Sequence, residues 1–527
     1  MTKHSCCGGL CIMPPAPDLQ EKIVQMKAAL ISEAGLSGID DLDIMDLRTY
    51  SLIAGRPRQT RSNEFVASVA EQAPPVTGTR KAIVLLVDFS DKTATRAQSQ
   101  FNNLLFTVGT YPTGSMRDFY REASYNQLDV QGEVAGTGAT AGWYRAPRTK
   151  AYYTANNFGF GSYPTNAQKL TEDVIDLANP FVNFAQYDND GDGFVEALVI
   201  ICAGSGGEQT GNKSDIWSHK WNITPKNVDG VKIDRYFMAP EDGRVGVMAH
   251  ELGHLLCGLP DLYDTDYTSR GTGKWDLMAG GSWNGSPQGD KPAHPTAWCK
   301  YKSGWVNPTV IFNQEVDVTI RPYKDFKDVF KLPIGAIDSK EYFLISNRRQ
   351  IGFDAGIPGE GLLIEHIDDN KTNNTDENHY LVDVEQADGL RQLNTNANSG
   401  DANDLFPTAS NNQFSVSSSP NSKAYNGTDS KVTITNIARS GSNITAKINV
   451  GGGTALGTLS NKKVLQVYAT PHSQNAWAFI ESAGWRKMEP LSVPGVTAMF
   501  EAMVHARSSG KTITAQADAS KVNLVYY

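Results

Sequence analysis

The stretch VMAHELGHLLCGLPDLYDTD, residues 247–266, limits what the chain around it can become. On an α-helix two histidines four residues apart share a face, and His250 and His254 would stand about one turn apart. Gly258 can end that helix and Pro260 forbids its continuation, so Asp261 comes back by a turn. A helix that must stop and reverse at this point has one evident use. The two imidazoles sit where a single tetrahedral zinc ion takes both. Glu251, one residue on and rotated off that face, is placed to hold and deprotonate a water rather than to ligate. With 9 histidines in 527 residues, chance gives this pattern on the order of once in a hundred such chains. An ordinary helix bearing two surface histidines is therefore the weaker reading.

A third protein ligand can come from a later helix or from the turn. No glutamate occurs between Glu251 and Glu315, which removes the usual later-helix donor. Asp261 is the expected ligand, since aspartate oxygen is an acceptable zinc donor. Asp264, Asp266 and His294 are its competitors.

Composition narrows the function classes. Lys and Arg number 48 against 57 Asp and Glu, a formal charge of −9, which argues against a nucleic-acid or anionic-membrane binder. No run reaches the roughly 18 apolar residues of a membrane span, and a monomer is expected. The N-terminus MTKHSCCGGLCIMPPAPDL lacks the apolar core of a secretory signal. The sequence alone thus leaves an exported protein or a cytoplasmic one open. Six cysteines are too few for a disulfide scaffold.

At 527 residues the chain is too long for one core. Residues 1–79 read as a propeptide-like segment: a helix over 18–35, then a polar, Pro-containing, basic connector suited to cleavage. Residues 80–310 mix buried strands (RKAIVLLVDFSD, EALVIICAG) with helices (MRDFYREASYNQL, AQKLTEDVIDLAN), an α+β catalytic unit. From 311 to 450 short strands and turns predict a β-sandwich-like domain. GGGTALGTLS at 451–460 reads as a linker, and 461–527 as a small accessory domain.

DNDGDGFVE at 188–196 sets Asp188, Asp190 and Asp192 at alternate positions before Gly193, like the first half of a calcium loop. Position twelve of an EF-hand would be Val199, so the EF-hand itself is excluded, and Glu196 is the expected last oxygen donor. Four acids this close repel one another unless a cation compensates them. Trp275, Trp283, Trp298 and Trp305 read as core and cleft wall rather than as a separate binding platform.

HELGH…GLPDLYDTD with WDLMAGGSWNG, VLLVDFSD, SMRDFYREASYNQL, YDNDGDGFVEALVIICAG, DIWSHK, HPTAWCKYKSGW and GEGLLIEHID resembles the immune inhibitor A family of secreted bacterial zinc endopeptidases, grouped with the metzincins. The likeness runs over roughly residues 80–410. It implies a metzincin-like catalytic domain, an N-terminal propeptide, an extracellular location, and a methionine turn beneath the metal, matched by Met278. One departure stands out. The family's glycine three residues past the second histidine is Cys257 here, followed by Gly258, which puts Asp261 seven residues beyond His254 instead of six.

These readings give a zinc-dependent endopeptidase acting on proteins or peptides, with a zinc-bound water and Glu251 as general base. The alternative from another class is an inactive secreted binding or adhesion protein on a protease scaffold. A protease of this kind must be kept idle, and thiolate is a strong zinc ligand. Of Cys6, Cys7 and Cys11, the last precedes the anchoring Met-Pro-Pro and is the expected latency ligand, with release by cutting in the Arg56–Arg61 connector.

Overall fold

Ala82–Val87 and Leu198–Cys202 are apolar at every position because both faces of their strands are covered. They lie at the centre of the sheet that carries the site. The computed structural model describes residues 9–34, 75–136, 142–451, 457–469, 476–488, 493–517 and 521–526. Cys6, Cys7 and the Arg56–Arg61 connector lie outside the described residues.

Among the described residues a seven-stranded sheet forms from β1 (Cys11–Ile12), β2 (Gly78–Asp88), β3 (Leu128–Ala135), β4 (Tyr144–Arg145), β5 (Leu198–Cys202), β6 (His219–Val228) and β7 (Val231–Pro240). Their order is β1-β6-β7-β5-β2-β3, with β4 also on β2. The middle of the sheet is parallel: β2 pairs with β3 and β5, and β5 with β7. The β6 and β1 pairings are antiparallel. The N-terminal segment thus supplies an edge strand to this sheet, more than sixty residues ahead of β2.

The motif helix, Val245–Cys257, is buried from Val245 through Leu255. Close approach on two sides explains its glycines. A Cβ on Gly246 would stand 1.8 Å from the Ser282 carbonyl oxygen, and one on Gly253 would stand 2.9 Å from Met278 Sδ. Against it packs the helix Met116–Ala123, started by a capping box: Ser115 Oγ accepts from Asp118 N–H at 3.1 Å while Asp118 Oδ2 accepts from Ser115 N–H at 2.9 Å. Tyr120 OH from that helix donates to the Ala249 carbonyl at 2.5 Å.

Beyond residue 310 a five-stranded and a three-stranded sheet share a core of Phe343, Ile345, Ile364, Phe414, Ile434 and Ile448. The other face of the five-stranded sheet sends Tyr342, Leu344, Ile367 and Val382 into the same core as Ile83 and Leu252. Packing therefore runs continuously across residue 310. Buried Arg348 on that sheet pairs with buried Asp354 at 2.8 Å and donates to the Trp275 carbonyl at 2.9 Å. This ties the second sheet to the loop that carries Met278. The described residues between Gly457 and Tyr526 form a closed five-stranded barrel with one helix, Val493–Ser509. The expected linker over 451–460 is shorter than composition suggests, because its last four residues belong to the strand Gly457–Ala469. Gly457 and Thr458 pair there with Ala517 and Gln516.

A pH-dependent contribution to stability sits on the five-stranded sheet. Burial alone would lower the His366 imidazole, but Glu341 and Glu385, each 3.1 Å away, outweigh it and push it up to about 9. A raised histidine stabilises fully below its unfolded value of about 6.5, and that stability is lost as pH rises through the folded value. The melting advantage of wild type over His366→Gln should be largest near pH 6 and smaller by on the order of 2–3 kcal/mol near pH 10. An equal advantage at both values, followed by thermal unfolding, would contradict the assignment.

Candidate metal centre

The motif helix ends where its sequence requires. Gly258 takes the left-handed conformation at φ 63°, and its N–H closes back on the Gly253 carbonyl. Pro260 then keeps the backbone from continuing the helix, and Asp261 turns back toward the histidines. His250 Nε2 and His254 Nε2 lie 3.0 Å apart, and Asp261 Oδ1 lies 3.3 Å and 3.1 Å from them. A tetrahedral ion with ligand bonds of about 2.0–2.1 Å needs ligand-to-ligand edges of about 3.3 Å. The triangle matches that size.

Tautomer and charge point the same way. His250 Nδ1 lies 2.9 Å from the Leu277 carbonyl and His254 Nδ1 2.6 Å from the Leu259 carbonyl. Each carbonyl takes an N–H, which leaves both Nε2 lone pairs turned inward beside a carboxylate. Both imidazoles are completely buried. Burial lowers His250, partly offset by Asp261. For Asp261 burial works upward, and only positive charge at the two imidazoles overcomes it, holding the carboxyl down to about 2. Three buried acceptors converging on one point repel unless a cation lies among them. The donor set of two nitrogens and one carboxylate oxygen suits zinc.

The surroundings fix this triangle. The Leu262 N–H donates to the Met278 carbonyl at 2.9 Å, which joins the loop of Met278 to the turn bearing Asp261. Glu251 is fully buried one residue from His250. The competing ligands are placed elsewhere. Asp264 Oδ2 accepts from Ser269 N–H and from the Ser269 and Thr268 hydroxyls, each at 2.8 Å. Asp264 groups with Asp266 and Glu377 rather than with the histidines. His294 Nε2 lies 3.0 Å from Glu122, and its Nδ1 faces Lys300 at 3.2 Å.

Asp188, Asp190, Asp192 and Glu196 bring carboxylate oxygens within 4.8 Å of one another. The loop is shaped by its own backbone: Asp188 accepts from Gly191 N–H at 2.8 Å and from Gly193 N–H at 3.0 Å. The Cys11 Sγ, a His254 ring nitrogen and an Asp261 oxygen also lie within 4.8 Å of one another. From the sequence Tyr263 is equally suited to packing or to stabilising an oxyanion; it is buried and its hydroxyl donates to the Ile12 carbonyl at 3.0 Å. The backbone carbonyls that orient the histidines escaped sequence reasoning, and no residue type could have signalled them.

Residues 75–307 match the immune inhibitor A peptidase M6 catalytic domain. Over these residues the chain is similar to the immune inhibitor A peptidases. The pre-pro-metalloprotease PrtV of Vibrio cholerae serotype O1 is 34% identical over 279 residues, covering 42% of this chain and 29% of that protein. Immune inhibitor A of Bacillus thuringiensis subsp. alesti is 35% identical over 216 residues, covering 34% of this chain and 30% of the relative. The chain thus matches less than a third of the length of either relative. The additional residue before Gly258 does not displace Asp261 from the histidines. The fold is mixed helix and strand, with further β units after the catalytic region. Among the described residues no helix is long and apolar enough to cross a membrane.

Proposed function

We propose that the chain is a zinc-dependent endopeptidase that hydrolyses peptide bonds in proteins, with a metzincin-like site built from His250, His254 and Asp261. The observation that carries this reading is the buried triangle of lone-pair donors, with edges of 3.0, 3.1 and 3.3 Å. Bound zinc would supply Lewis acidity, activating a water and polarising the scissile carbonyl. Glu251 takes the proton from that water and passes it to the leaving amine. Low-dielectric surroundings strengthen both effects. Gly253 allows Met278 to pack against the motif helix. A family likeness supports an extracellular site of action and protein substrates. The test is casein hydrolysis by the full chain before and after chelation. Activity that survives complete removal of metal would contradict the reading, and so would a Cys11→Ser chain that binds zinc and hydrolyses nothing.

The loop at 188–196 supports calcium as a second ion. A ligand bound only by the folded state raises stability with its concentration. The unfolding temperature should rise with added calcium in wild type and far less in Asp190→Ala and Asp192→Ala. Thermal scans giving the same rise in all three chains would remove the site.

A further inference from the structure

We propose that Cys11 is a built-in inhibitory ligand, its thiolate taking the fourth position at the zinc of His250, His254 and Asp261 while its strand lies where a substrate backbone would. The inference rests on the zinc reading above and concerns the regulation of that site.

Position is the first argument. The Cys11 sulfur lies with a His254 nitrogen and an Asp261 oxygen inside a 4.8 Å cluster. Cys11 is 4% exposed, Ile12 2% and Met13 0%, so the segment fills the cleft instead of resting on its rim. Its backbone is the second argument. Cys11 and Ile12 pair antiparallel with Lys220 and His219, adding a strand to β6 in the manner of a bound peptide. Three consecutive carbonyls then each receive a side-chain donor from the catalytic region. Tyr263 OH reaches Ile12 O at 3.0 Å, Trp217 Nε1 reaches Met13 O at 2.7 Å, and Trp283 Nε1 reaches Pro14 O at 2.9 Å. These contacts read main chain and not side-chain identity, as a protease cleft must. The helix that follows adds Glu21 to Arg270 at 2.6 Å.

The chemistry balances without a redox partner. Cys11 gives its thiol proton to solvent, the sulfur bonds the metal, and a water leaves. When the strand is withdrawn that bond breaks, water returns, and the sulfur regains a proton.

The test adds cobalt(II) to the metal-stripped full chain. Wild type should bind one equivalent and show thiolate-to-metal charge-transfer absorption. Cys11→Ser and Cys11→Ala should bind cobalt without that absorption, and their zinc forms should cleave casein faster than uncut wild type by at least about tenfold. Cys202→Ser, altered in the core strand β5, should keep the absorption and so controls for thiol replacement. Stoichiometric cobalt in wild type without charge transfer would overturn the proposal, as would a band that persists in Cys11→Ser. A chain that binds neither cobalt nor zinc in any variant would instead contradict the zinc reading.

Discussion

Glu251→Gln keeps one zinc per chain and loses about 10²–10⁴-fold in kcat, the usual contribution of a positioned general base. Glutamine preserves the volume of a side chain that is fully buried, so the loss is not confounded by a cavity. The two histidines and Asp261 are untouched, and their Nδ1 anchors at Leu277 and Leu259 remain. Elemental zinc and turnover measured on the same preparation separate the two roles. Placing the substitution in the Cys11→Ser background ensures that a blocked cleft is not taken for a missing base. Turnover within a few-fold of the parent would rule out Glu251 as the base.

Asp261→Ala has the opposite signature: zinc itself is lost. Replacing even an outer partner of a metal ligand typically costs 10–100-fold in affinity, so removing the carboxylate that lies 3.1–3.3 Å from both imidazoles should weaken binding by more than about a hundredfold. Asp264→Ala provides the contrast. Burial, reinforced by Asp266, pushes the Asp264 carboxyl up to about 7, and its hydrogen bonds serve the Thr268–Ser269 turn. That variant should lose stability and keep its zinc. Competition titration with a chelating dye reads both. Normal zinc affinity in Asp261→Ala would end its assignment as a ligand.

Local rules reach far into this molecule. The spacing of His250 and His254 demands a helix, and Gly258 with Pro260 demands its end, because both depend on neighbours within one or two turns. Continuous apolar runs announce β2 and β5 for the same reason. The acidic loop over 188–196 is legible because turn glycines and alternating acids are adjacent in the chain. What stayed hidden is pairing at a distance. Nothing in CIM at 11–13 reveals that it joins β6 some two hundred residues later, since an edge can accept any backbone. The Leu277 and Leu259 carbonyls carry no residue-type signal, although they set the histidine tautomers. Arg348 and Asp354 looked like ordinary charges in a strand and a turn. Burial of both, with Arg348 on the Trp275 carbonyl, makes them the link between the second sheet and the methionine loop. In the C-terminal region the pieces KVLQVYA, WAFIES and TITAQA read as strands, but closure into a barrel depends on register that alternation alone does not specify.

The central claim is a zinc ion held by His250, His254 and Asp261 that is required for proteolysis. Zinc content and casein hydrolysis, determined together on wild type and Cys11→Ser chains through a cycle of chelation and zinc return, test it most directly. The account predicts one zinc per chain, activity that disappears with the metal and returns with one equivalent, and no zinc uptake in His254→Ala. Proteolysis in a preparation shown to hold no metal, or a full equivalent of zinc retained by His254→Ala, would contradict it.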